Sequence, residues 1–290
     1  MFVLIAFSAP AQIIDNSTGI TLLDEPEFNP VFIRANNIAS ISGEISVKRE
    51  SDIIRSAKET VKYHFDRVGR LVQIDNIRKV NGGTDIVSTI YRYDSDGTLI
   101  DKIISDITGA TSYSYRYDDQ KRIISETCSR MESPRDTLNP AGPKRTEIYT
   151  ESFRYTELDN GVKKVTYNSY DRPYLEEFSY FDEHGYLTGQ SQRYIMNNKR
   201  SKTTYAYNER GMLEQKELIT DLSKADTTRL DYEYDTAGNL LSAQEFRNSV
   251  LNRRIEFLYK PETWMLDARL TKVEETEMIR IIRYKTIFRD

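Results

Sequence analysis

Two histidines, one cysteine and a large stock of carboxylates are the residues of this 290-residue chain that could carry chemistry. His64 lies between Tyr63 and Phe65, so strand alternation puts it on the face away from the rings. His184 sits inside the turn sequence Asp182-Glu-His-Gly185. Equivalent positions in the repeated unit described below hold Arg92, Arg116, Ala206 and Glu233 for the first, and Asp96, Arg210 and Ala237 for the second. Positions that accept such variety within one chain read as solvent positions. Cys128 would need a base and an orienting group to act as a nucleophile, and the sequence locates neither. There is no Gly-x-Ser-x-Gly elbow and no His-Glu-x-x-His zinc motif. Asp94-Ser-Asp96-Gly97 resembles the opening of a calcium loop, but the twelfth position from Asp94 is Ser105 and not glutamate. Counting alone does not exclude a glycosidase-like carboxylate pair. The prominent aspartates, however, recur for another reason, and the expectation is no catalytic residue, no metal site and no cofactor.

That reason is a repeat. Tyr63-His-Phe65-Asp66-x-x-Gly69-x-Leu71 returns as Tyr91-Arg-Tyr93-Asp94-x-x-Gly97-x-Leu99, as Tyr205-Ala-Tyr207-Asn208-x-x-Gly211-x-Leu213 and as Tyr232-Glu-Tyr234-Asp235-x-x-Gly238-x-Leu240. Looser copies begin at Tyr115, Phe153, Ser179 and Phe257, and successive starts are 28, 24, 38, 26, 26, 27 and 25 residues apart. A fixed period of this size means stacked supersecondary units.

Each unit reads as a β-hairpin. Aromatic residues at i and i+2 leave a strand on one face, and around Tyr232 the alternation sets Leu230, Tyr232 and Tyr234 against Arg229, Asp231 and Glu233. Asp or Asn opens the turn by bonding the backbone two residues on, and Gly three positions later accepts positive φ. Leucine two residues after the glycine restarts the apolar face. The Tyr115 copy carries Lys121 where glycine is expected, and Phe153-Arg-Tyr155 is followed by Thr156 with Gly161 arriving late. In the Ser179 copy, Phe178 and Tyr180 are out of phase with Phe181, the mark of a β-bulge. Two strands per roughly 26 residues make an up-and-down antiparallel meander without helices, hence an all-β fold.

Composition points the same way. Hydrophobic residues make up 38% and include 20 tyrosines, while charged residues make up 30%, so the aliphatic core is thin. This suits one elongated, curved or partly rolled sheet covered by tyrosines on one face. About sixteen strands would span roughly 75 Å, and sheets that wide curl. The tyrosines are first a cross-strand ladder that holds the sheet. Their alternative use is as a ligand platform, for which the candidates are Tyr91, Tyr93, Tyr205, Tyr207, Tyr232, Tyr234 and Trp264.

Residues 1–11 read as a short or truncated signal peptide: Phe2 to Phe7 is apolar, and Ala9-Pro10-Ala11 before Gln12 has the small-x-small form of a cleavage site. Residues 12–48 form a lead-in with the first strands, and residues 49–290 form the repeat array with a loop insertion at 131–144. A lone cysteine excludes an internal disulfide. A net charge of −4 gives no footprint for nucleic acid, and no segment has the roughly 20 apolar residues of a transmembrane helix.

The unit Tyr-x-Tyr-Asp-x-x-Gly-x-Leu resembles the YD repeat, also called the RHS repeat, of bacterial cell-surface and toxin-shell proteins and of the extracellular teneurins. The likeness spans roughly residues 50–290, with four close and four degenerate copies. It implies a continuous β-sheet spiral with aromatics packed between neighbouring strands, and an extracytoplasmic address: secreted, periplasmic or cell-surface. About eight copies are too few to enclose a cargo, and the sequence lacks the Asp-Pro-x-Gly self-cleavage motif of many shells. The expected function is structural or adhesive and non-enzymatic, toward an unknown protein or glycan at the cell surface. The alternative is a carbohydrate-binding module using exposed tyrosines.

Overall fold

The computed structural model describes residues 12–19, 26–131, 144–224 and 226–290. The proposed signal segment and most of the insertion lie outside these. The lead-in holds a six-residue helix, α1 (Pro30–Ala35); Asn29 caps it by accepting the N–H groups of Val31 and Phe32, with Pro30 at its first position. Eighteen strands follow. The first six are β1 (Ile38–Arg49), β2 (Arg55–Phe65), β3 (Leu71–Val80), β4 (Gly83–Tyr93), β5 (Leu99–Asp106) and β6 (Gly109–Tyr117). Next come β7 (Ile123–Met131), β8 (Arg145–Leu158), β9 (Gly161–Tyr167), β10 (Pro173–Phe181), β11 (Leu187–Tyr194) and β12 (Arg200–Tyr207). The last are β13 (Leu213–Ile219), β14 (Thr227–Tyr234), β15 (Leu240–Arg247), β16 (Val250–Tyr259), β17 (Leu266–Val273) and β18 (Met278–Phe288).

Every strand pairs antiparallel with its neighbours in sequence, and β18 pairs with β1, from Ile38 opposite Phe288 to Arg49 opposite Met278. The sheet is therefore a closed 18-stranded barrel. The open or partly rolled sheet expected from the repeat is corrected here, and so is its pair of free edges. The cause is β1: the lead-in contributes a twelve-residue strand that bonds β2 on one side and β18 on the other. Closure satisfies the N–H and C=O groups that two edges would leave unpaired.

The turns follow the sequence. Asp66 Oδ1 accepts the N–H groups of Val68 and Arg70 at 3.0 and 2.9 Å, while the Gly69 N–H donates to the Asp66 carbonyl. The same side-chain bonds recur at Asp94, Asp118, Asp182 and Asn208. Gly69 has φ +91°, a region closed to most side chains, yet Lys121 (φ +59°) occupies the equivalent position, and Trp264 (φ +56°) takes the matching place in a turn one residue longer. The returning strand then carries one extra residue: Phe65 faces Leu71 and His64 faces Gln73, leaving Val72 as a bulge. The irregularity expected from the phase of Phe178, Tyr180 and Phe181 falls instead on the returning strand, where Thr188 is the extra residue, and the same bulge recurs in every close copy.

The Phe153 copy differs from the sequence reading. Tyr155 continues a long β8 that reverses through Asp159 and Asn160, so no Asp-to-Gly turn follows it. The five-residue turn of that region is instead Asn168–Arg172, where Asp171 (φ +55°) takes the glycine position. In a meander, alternate connections share an end. The 168–172 turn thus lies on the rim opposite the turns that open with Asp66, Asp94, Asp118, Asp182, Asn208 and Asp235.

The ring-bearing face of β13–β18 and β1–β3 packs into one core with Ile13, Ile14, Phe32 and Ile33 of the lead-in. The opposite face folds over itself elsewhere. Arg145 of β8 holds Asp101 of β5 through both guanidinium nitrogens, at 3.0 and 2.5 Å. Three strand spacings, about 14 Å, separate those backbones, more than the two side chains bridge across a flat sheet. Ile103, Ala110 and Met131 form a second, small core on that concave side.

Candidate functional site

The tyrosines divide into two series. The second tyrosine of each unit spends its hydroxyl on the preceding hairpin: Tyr93 donates to the Leu71 carbonyl at 2.8 Å, Tyr207 to Leu187 at 3.0 Å and Tyr234 to Leu213 at 2.7 Å. Tyr117, Tyr155 and Tyr259 repeat this with Leu99, Ile123 and Leu240. In the first series, Tyr205 donates to Gln190 at 2.7 Å, and the buried Tyr232 donates to the Gly19 carbonyl at 3.1 Å. Tyr91 is half-buried against the core. Burial pushes the Tyr232 and Tyr259 hydroxyls well above the ordinary phenol range. Trp264, 40% exposed, stands in the turn between β16 and β17, apart from the other six candidates. Of the seven platform candidates, Tyr207 and Tyr234 border a cavity together.

A larger concavity than that one lies on the opposite face. A groove of about 830 Å³ crosses β2 to β6 and centres on Asp75. Asp75 Oδ1 accepts from Ser88 Oγ at 2.6 Å and from Gln73 Nε2 at 2.8 Å, and its Oδ2 stands 3.2 Å from His64 Nε2. Lys62 adds a cation, and Ile77, Ile86 and Ile107 an apolar strip. Serine, histidine and aspartate thus meet, but with the carboxylate in the middle. A nucleophilic relay needs the imidazole between carboxylate and hydroxyl, so this order equips Ser88 as a hydrogen-bonding group and not as a nucleophile. His64 sits where alternation placed it, away from the rings. Its partners were missed because Gln73, Asp75 and Ser88 join it only through the pairing register of β2, β3 and β4. His184 remains exposed in its turn beside Glu183.

The ring face carries charge too. Glu126 of β7 lies directly opposite Glu151 of β8. Burial, and then the Glu151 carboxylate, raise the Glu126 pKa. Tyr174 donates to Glu151, and Tyr149 to Glu126 at 3.5 Å. Burial followed by the field of Glu126 lifts Tyr115 to about 12. On the other face, burial opposes ionisation of Asp101, but bonds from Arg145 and Ser114 outweigh it and hold the carboxyl below its usual value. Cys128 is buried, which raises its thiol pKa and keeps it from the thiolate form. Among the described residues no cluster of His, Cys, Asp and Glu is arranged to hold a metal ion.

The sequence matches no protein-family model and no curated protein. Among solved structures it is similar to a porin-like protein from Bacteroides uniformis ATCC 8492, at 13% identity and TM-score 0.41, covering 86% of this chain and 98% of that one. A porin-like protein from Bacteroides vulgatus ATCC 8482 is similar at 10% identity and TM-score 0.36, with the same coverage. The Photorhabdus luminescens Tc holotoxin pore is similar at 12% identity and TM-score 0.23, covering 80% of this chain and 15% of that one. All three scores lie below 0.5, so each is a distant likeness and none assigns a function.

Proposed function

We propose that this is an exported, non-enzymatic β-repeat protein of a bacterial envelope or surface, whose structural or adhesive work runs through the groove around Asp75. The carrying observation is the hydrogen-bond order in that groove: Ser88, Gln73 and His64 converge on one carboxylate and on no reactive atom. Fixed donors and acceptors beside an isoleucine strip suit an extended polar partner, a glycan chain or a peptide. Export rests on the Phe2–Ala11 sequence and on the YD-repeat resemblance.

A membrane-spanning barrel is the less favoured reading, because such a barrel needs an outward apolar band about 25 Å tall. Here Arg92, Arg116, Glu233 and Glu256 are exposed on one face, while Lys102, Glu126, Lys164 and Arg253 stand on the other. No helix among the described residues is long and apolar enough to cross a membrane.

The test is a glycan array and an envelope-extract pull-down with the purified protein, beside Ile86→Lys and Asp75→Asn variants checked for folding by circular dichroism. Retention that both variants lose supports the groove. A partner that both variants keep places the function elsewhere, and turnover of any arrayed glycan refutes the non-enzymatic reading.

A further inference from the structure

Departures from a repeat show where one copy does something its siblings do not. In two copies the last residue of the five-residue turn is an arginine lying over the second tyrosine of the following unit. Arg70 stands 4.5 Å from the Tyr93 ring centre, and Arg122 stands 4.6 Å from that of Tyr155. In the β10–β11 turn this position is Tyr186, whose ring lies 4.9 Å from Tyr207 at a 39° tilt. Other copies hold Thr98, Met212 or Asn239 there, and beside Tyr186, the one aromatic residue at this position, lies a cavity of about 370 Å³.

Its walls come from two parts of the chain. Tyr186, Tyr207 and Tyr234 line one side, and Asp15, Asn16 and Ser17 of the lead-in line the other. Asn16 Nδ2 donates to the Tyr234 hydroxyl at 2.9 Å, tying the two sides together. Gly211 completes the geometry. It has φ +73°, and a Cβ there would stand 2.2 Å from the Tyr186 hydroxyl, so the turn glycine makes room for that ring.

We propose that this rim cavity is a binding site for one neutral pyranose, either a free monosaccharide or the terminal sugar of a glycan. It lies at the small end of the range of ligand sites, which run from about 300 to 1,000 Å³. Tyrosine rings meet the apolar C–H face of a pyranose, while a carboxylate, an amide and a hydroxyl on the facing wall suit its hydroxyl groups. The lining includes Asp15 and neither lysine nor arginine, which disfavours anionic sugars. The site is separate from the Asp75 groove. Because the ligand touches both the lead-in and the barrel, binding and docking of the lead-in are linked.

The experiment is an NMR titration of the full chain with neutral hexoses and N-acetylhexosamines, with glucuronate and choline as charged controls. It is paired with hydrogen exchange at residues 13–19. Tyr186→Ala, at a residue 39% exposed, and Asp15→Asn are compared with Tyr170→Ala, a tyrosine 83% exposed at the opposite rim. The expected result is saturable binding of a neutral sugar that slows exchange at 13–19. It weakens at least tenfold in Tyr186→Ala and about fivefold in Asp15→Asn, and is unchanged in Tyr170→Ala. Tyr186→Phe keeps the ring and retains most of the binding. No saturation by any neutral sugar, binding indifferent to Tyr186→Ala, or tighter binding of choline or glucuronate overturns the proposal.

Discussion

Replacing Tyr234 by phenylalanine tests whether the tyrosine ladder holds the barrel together. The Tyr234 hydroxyl donates to the Leu213 carbonyl at 2.7 Å and accepts from Asn16 Nδ2 at 2.9 Å. Tyr234→Phe keeps the ring and removes both bonds. Two net hydrogen bonds at about 0.5–1.5 kcal/mol each give a loss of about 1–3 kcal/mol. With a urea m-value of about 2–3 kcal/mol/M, the unfolding midpoint falls by about 0.3–1.5 M. Urea unfolding followed by circular dichroism measures this. Asn16→Ala and the double variant close a cycle in which the two losses add to less than their sum, since they share one bond. Tyr93→Phe removes one bond, to Leu71, and costs about half as much. A Tyr234→Phe midpoint indistinguishable from wild type refutes the ladder as a stabilising device, and fully additive losses refute the Asn16–Tyr234 bond as a stabilising contact.

Three further outcomes follow from the same geometry. Gly69→Ala incurs the left-handed backbone penalty of about 1–2 kcal/mol and also sets a Cβ 2.0 Å from the Pro30 carbonyl, so it destabilises more than Gly185→Ala, where nothing lies within 4 Å; thermal melts of the pair rank them. Glu126 has a raised pKa, so its proton stabilises the fold at pH below the unfolded value of about 4.3, and that contribution is lost as pH rises through the folded value. Glu126→Gln therefore gains about 0.2–1 kcal/mol at pH 7, a gain that closes below about pH 4 in melts across pH. Arg145→Ala strands the Asp101 carboxylate, which is 6% exposed, and loses about 1–3 kcal/mol. Asp101 has a lowered pKa and so supports the wild type above the unfolded value of about 3.9; that support fades in acid as pH falls through the folded value, and with it the difference between the two proteins.

The hairpins were legible because their signals are local. An aromatic pair, an Asx residue and a glycine within seven positions specify strand, turn and bulge, as at Tyr63–Gly69. Lys121 and Trp264 in left-handed backbone show the limit: surrounding hydrogen bonds hold the turn even where the residue type argues against it. The Asn168 turn escaped notice because Asp171 replaces glycine and Val165 the first tyrosine. Closure was not legible. It depends on β1 finding β18 across some 240 residues, a pairing that no local pattern encodes. The Asp75 groove was hidden likewise, since register brings its four polar residues together from three strands.

Closure also imposes a rule of parity. A ring in which every neighbour runs antiparallel exists only with an even number of strands. Each repeat of about 26 residues supplies two, so the array can gain or lose whole repeats and still meet itself between its first strand and its last. Loss of a single strand would leave two parallel neighbours at the seam, which would have to exchange the antiparallel ladder for the slanted parallel one. The unit of sequence duplication and the unit of ring growth are therefore the same, and the girth of such a barrel can change in steps of one hairpin without redesign of the seam.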